Sequence, residues 1–139
     1  MKVTLIDTDI LSYYLKGDLL VGKQVKHYLN HFSLLTISKI TQYEILSGLE
    51  YKQAIRQIKQ FEILLADFEI LPLSGNTIRT AAIEYGKLKR KGITIGNSDI
   101  LIAATALSNN MTLATNNVKH FKHIEDLQII NWKNDLLKP

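Results

Sequence analysis

The stretch VTLIDTDILSYYLKGD, residues 3–18, passes from a short β-rich apolar block through an acidic turn into helical spacing. Val3 to Ile6 reads as a buried strand ending at Asp7. A helix is expected from about Asp9 to Leu15, broken at Gly17-Asp18. The same alternation continues along the chain. Leu19 to Leu29 reads as a second helix and Ser33 to Ile37 as a second strand. Ser38 is placed to cap a helix running to about Tyr51. A charged amphipathic helix is expected over roughly Lys52 to Ala66. Phe68 to Leu71 is a third strand, stopped by Pro72. Ser74 caps a helix from about Thr77 to Lys91, closed by Gly92. Ser98 caps another from Asp99 to Ser108. Met111 to Thr115 and Leu127 to Trp132 complete five strands. Strands alternating with helices predict an α/β fold whose parallel sheet is covered on both faces.

The 139 residues suit one domain with one core, taken here as residues 1–139. With no cysteine in the chain, disulfides, thiolate nucleophiles and cysteine-based zinc sites are excluded. No apolar run approaches the roughly 20 residues that span a bilayer, and Met1 to Asp7 is too short and acidic for a secretory signal. A soluble, cytoplasmic protein is expected. The formal net charge of +4 suits a polyanionic partner. It is concentrated in two places, Lys87, Lys89, Arg90 and Lys91, and Lys119, His120, Lys122 and His123, which read either as solvated faces or as a surface for a polyanion.

Ligands of an open parallel sheet collect beyond the carboxyl ends of its strands. Asp7 belongs at that edge, as a functional carboxylate or as a helix cap. On a helical layout Ile37, Ile40, Thr41, Glu44 and Gly48 share one side. A carboxylate at the centre of such a stripe is costly unless paired or metal-bound. Gly48 there suggests a close backbone approach. Asp99 opens a segment with Ala103 and Ala106 on its own side, and suits the first turn of a helix on dipole grounds alone. Together the three are harder to explain. Two carboxylates about 4 Å apart repel by about 4 kcal/mol at an effective dielectric of 20. Three call for a cation, and an all-oxygen set selects Mg²⁺, with Mn²⁺ as a substitute. Such an ion suits phosphodiester hydrolysis.

These residues lie in four stretches: residues 3–18, TISKITQYEILSGL (36–49), ITIGNSDILIAATAL (93–107) and TLATNNVKHFKHIEDLQIINW (112–132). In that order they resemble the PIN-domain nucleases, specifically the VapC toxins of type II toxin–antitoxin pairs. The resemblance implies a three-layer α/β/α sandwich with a mainly parallel sheet of about five strands. It also implies a Mg²⁺-dependent endoribonuclease, cutting tRNA or rRNA by attack of water. Family acidic positions fall on Asp7, Glu44 and Asp99 as metal ligands. The fourth falls on Asn117, a departure, and Asn97 stands where many members carry an acid. Thr8 and Thr115 match small hydroxyl positions that hold metal-bound water, or serve as strand-end caps. Lys89, Arg90, Lys91 and Lys119 are the expected RNA contacts. A VapB-like antitoxin blocking the groove and a homodimer are implied partners, with no membrane. The alternative is a non-catalytic PIN-like module that binds RNA or protein. His120 and His123 read as part of the basic surface rather than as a metal or acid–base pair. Asp7-Thr8-Asp9 is similar to the aspartyl-nucleophile motif of haloacid-dehalogenase phosphatases, but the later lysine and acidic pair of that class cannot be placed. Gly92 and Gly96 do not make a phosphate loop.

Overall fold

The computed structural model describes residues 2–134; the two ends of the expected single domain, residues 1 and 135–139, lie outside the described residues. In chain order the elements are β1 (Thr4–Ile6), α1 (Thr8–Leu15), α2 (Leu19–Leu29), β2 (Leu35–Ser38), α3 (Lys39–Tyr51) and α4 (Ile55–Leu64). A 3₁₀ turn (Leu65–Asp67) then leads to β3 (Phe68–Leu71), α5 (Gly75–Arg90), α6 (Asn97–Ser108), β4 (Thr112–Ala114), α7 (Val118–Phe121) and β5 (Ile129–Ile130). The sheet order is β3-β2-β1-β4-β5 and every neighbouring pair is parallel. Chain order reverses on either side of β1, so the crevice beside it is the topological switch point where an open α/β sheet binds its ligands.

The period of two along each strand divides the core. Leu5 and Leu113 turn to one face and pack with Ala81, Leu88, Ile100 and Ile102 of α5 and α6. Ile6, Ala114, Leu35 and Ile37 turn to the other, against Ile10, Val21 and Phe61. Fully covered strands have no polar side to show, which is why they read as short continuous apolar runs. The three layers follow from this.

Several boundaries differ from the sequence-based expectation. Helix α1 begins at Thr8, because Asp7 caps it by accepting from the Thr8 amide. Helix α6 starts at Asn97 behind Gly96, with no side-chain cap, so Ser98 is not the capping residue. The expected Lys52–Ala66 helix is shorter: Gln53 adopts φ +53° and breaks it from α3, and the far end tightens into the 3₁₀ turn. Strand β2 is displaced to Leu35–Ser38, and β5 keeps only Ile129–Ile130 of the expected Leu127–Trp132. The short helix α7 has no counterpart in the sequence-based expectation. Ser38 and Ser74 do cap α3 and α5, accepting from Thr41 N and Thr77 N. No helix is long and apolar enough to cross a membrane among the described residues.

Candidate active site

Beyond the carboxyl ends of β1 and β4 lies a cleft of about 840 Å³, whose lining includes Asp7, Asp9, Glu44, Asp99 and Asn117. Separate parts of the chain deliver these side chains. Asp7 follows β1 directly, its backbone N–H extending the ladder to the Ala114 carbonyl at 2.9 Å. Its carboxylate accepts the Thr8 amide on Oδ1 and the Thr115 hydroxyl on Oδ2, both at 2.8 Å. Thr115 Oγ1 in turn accepts the Asn117 amide at 2.9 Å. One buried hydroxyl thereby ties the end of β4 to the end of β1.

Glu44 is held from the side. Thr8 Oγ1 donates to Glu44 Oε1 at 2.6 Å and stands 3.0 Å from Thr41 Oγ1. Because the Thr8 proton is committed to the carboxylate, the Thr41 hydroxyl is the donor of the second bond. Glu44 is half-buried, and the buried residues of α3 are Thr41 and Ile45. The carboxylate therefore stands at the border of the apolar stripe rather than at its centre. Ile37 belongs to β2 and not to that helix. Gly48 meets no backbone: a Cβ there would have nothing within 4 Å. It lines the cleft, where lack of a side chain leaves space.

Asp99 lies in the first turn of α6, where the helix dipole favours an anion. Its Oδ2 is 3.3 Å from His120 Nδ1, and that same nitrogen is 2.7 Å from Asn117 Nδ2. Asp9, on α1, accepts the Ile10 amide on Oδ1 at 2.7 Å and the Asn116 amide on Oδ2 at 3.1 Å. It thus clamps the turn that leads through Asn117 into α7, which carries His120.

The carboxylates feel one another. Burial pushes the Asp7 carboxyl up from an ordinary 3.8 to about 7, the charge of Asp9 adds to this, bonds from Thr115 and Thr8 oppose it, and Asp99 adds a smaller part. Asp9 is also raised, first by burial, against the amides of Ile10 and Asn116, with the charge of Asp99 reinforcing it. Raised acids in a cleft mark a site where negative charge has been concentrated at a cost in stability. The donor set is all oxygen apart from His120, which fits a hard divalent cation. Among the described residues, however, no three Asp, Glu or His side chains are already drawn together as a ligand set.

The expected RNA contacts are dispersed. Lys91 pairs with Glu125 at 3.1 Å, and Lys89 lies 6.0 Å from the Tyr85 ring centroid. Lys89 also borders a small hollow with Gly96 and Asn97, which sets the basic end of α5 beside the start of α6. Lys119 is exposed on α7 next to His120. Two residues at the site escape a reading of the sequence. Asp9 is signalled only by its i, i+2 relation to Asp7 at a strand end. His120 reads as basic surface, because α7, which turns it back onto Asp99, is too short to announce itself.

The description "PIN domain" belongs to the family model that matches residues 4–127. A protein of Rickettsia felis described as Ribonuclease VapC2 is 33% identical, the match covering 94% of this chain and 98% of that one. Ribonuclease VapC1 of Haemophilus influenzae is 34% identical, with 94% and 98% covered. A crystal structure of VapBC2 from Rickettsia felis bound to a DNA fragment from its promoter contains a chain that superposes with a TM-score of 0.84 at 30% identity, covering 93% of this chain and 98% of that one.

Proposed function

Since the chain belongs to the PIN-domain family, among the VapC ribonucleases of toxin–antitoxin systems, we propose that it is a divalent-metal-dependent endoribonuclease with Asp7, Glu44 and Asp99 as metal ligands. One observation carries this reading: carboxylates far apart in sequence, from the end of β1, from α3 and from α6, line one cleft at the switch point of the sheet.

A bound Mg²⁺ or Mn²⁺ supplies neutralising charge for the phosphate oxygens and makes water more acidic. The remaining work falls to the chain. Thr8 fixes the orientation of Glu44, and Thr115 fixes Asp7, so that each carboxylate is held in a set direction. Asn117 brings a neutral amide to the cleft where a fourth carboxylate would raise the anionic charge further. On this reading Glu44 takes a proton from the attacking water, the bond from phosphorus to the 3′ oxygen breaks and that oxygen takes up a proton from solvent, leaving a 5′-phosphate and a 3′-hydroxyl. RNA is the substrate, with tRNA or rRNA the expected class. Lys89, Arg90, Lys91 and Lys119 hold its backbone.

The partner is a VapB-like antitoxin, since solved relatives are VapBC complexes. The cleft suits a peptide, because Leu15, Leu49, Phe61 and Leu64 give it an apolar wall adjoining the carboxylates. A homodimer in the cytoplasm is the proposed working form. The test is cleavage of RNA by the purified chain with Mg²⁺ and with EDTA, beside Asp99→Asn. Cleavage that needs the metal and is abolished in the variant is expected. RNA binding without metal-dependent cleavage in the wild type would instead make the protein a non-catalytic binding module.

A further inference from the structure

Thr41 and Glu44 lie one helical turn apart on α3, and the Thr8 hydroxyl of α1 reaches both. Thr8 Oγ1 has one proton, which it gives to Glu44 Oε1 at 2.6 Å, and it accepts the Thr41 proton at 3.0 Å. Thr41 Oγ1 in turn accepts from the Ser38 hydroxyl over a longer, weaker 3.4 Å. Ser38 ends β2 and caps α3, its oxygen accepting the Thr41 amide at 3.0 Å. Three hydroxyls thus follow one another with every proton directed toward the same carboxylate oxygen, and each bond polarises the next.

Location separates the members. Thr8 and Glu44 line the cleft, whereas Ser38 and Thr41 are wholly buried. Water has no access to Thr41, so its proton is kept for Thr8. Because Thr8 Oγ1 accepts on its Thr41 side, its own proton is left for Glu44 Oε1. Glu44 Oε2 accepts no hydrogen bond from the protein among the described residues. The carboxylate therefore commits one oxygen to the chain and keeps the other for the cleft.

We propose that Thr41 is a positioning residue of the active site: acting through Thr8, its buried hydroxyl decides that Oε2 of Glu44, and not Oε1, meets the ion and the attacking water. Thr41 itself touches neither. The inference rests on the metal-dependent reading above, and the experiment separates the two.

Thr41→Val, close in volume but without the hydroxyl, is compared with Thr41→Ser, Thr8→Val and the double variant Thr8→Val/Thr41→Val. Thr41→Ala set against Thr41→Ser gives the same contrast where valine is not accommodated. Kinetics use an oligonucleotide carrying a site that the wild type cuts in total RNA. Mg²⁺ affinity is measured by calorimetric titration without RNA. In Thr41→Val, kcat should fall about fivefold and Mg²⁺ affinity should weaken with it, while KM for the oligonucleotide is unchanged. Thr41→Ser should restore both. The double variant should be no slower than Thr8→Val, because the two losses act through one hydroxyl. Wild-type kcat in Thr41→Val, unchanged Mg²⁺ affinity, or losses that multiply in the double variant overturn the role of Thr41 and leave the carboxylate site standing. Wild-type cleavage that is indifferent to EDTA, or no cleavage at all, overturns the metal-dependent reading and this inference with it.

Discussion

Asp7→Asn should make the metal-free protein more stable at pH 8 and slightly less stable at pH 4. The Asp7 carboxyl is 4% exposed and its pKa is pushed from 3.8 to about 7. An acid whose folded pKa lies above its unfolded one holds its proton more tightly when folded. Its contribution to stability is fully present below about pH 4 and is lost as pH rises through 7. Three powers of ten in proton affinity correspond to about 4 kcal/mol. Asparagine removes the charge but keeps only one acceptor, where Asp7 accepts from both Thr8 N and Thr115 Oγ1. That loss offsets about 1 kcal/mol. The net gain at pH 8 is then about 3 kcal/mol, or roughly 10 °C in Tm for a domain of this length. The stability curves of the two proteins should cross near pH 4.5, on the order of where the relieved charge equals the lost bond. Thermal melts in EDTA across pH 4–9 measure this. Curves that stay parallel would refute the reasoning, because they would mean that Asp7 is ionised at no cost. Adding Mg²⁺ at pH 8 should raise the wild-type Tm more than that of the variant, since the ion stabilises the form that binds it.

Thr8→Val keeps the volume but removes the donor to Glu44 Oε1. RNA cleavage should drop about tenfold, with a loss of about 1–2 kcal/mol in chemical denaturation; unchanged cleavage would show that Glu44 needs no such orientation. Neutralising Lys89, Arg90 and Lys91 together should weaken RNA binding and reduce its salt slope by about two, at roughly 0.7–0.9 per phosphate contact. An unaltered slope would make the cluster merely solvated. Asn117→Asp should lower the melting temperature in EDTA and tighten divalent binding in calorimetric titration. Equal metal affinity in both proteins would mean that residue 117 does not face the ion.

The architecture is legible in the amino-acid order, because the central strands β1, β2 and β4 are covered on both faces and so announce themselves as short apolar runs between helices. Capping tells where α3 and α5 begin, since Ser38 and Ser74 bond amides only three residues on. Asp7, Glu44 and Asp99 stand out because a carboxylate beside apolar residues is costly anywhere in a chain. Boundaries are legible only where a local interaction sets them: Gln53 ends one helix with a backbone angle that its composition does not advertise. The rest depends on distances between residues remote in sequence. Thr8 meets Glu44 across 36 positions and Thr115 meets Asp7 across 108. His120 meets Asp99 across 21, through a helix of four residues. Hydrophobic periodicity reports which side of an element is buried. It carries no information about which polar groups the parallel sheet brings together at its carboxyl edge, and for that the folded arrangement of the chain is needed.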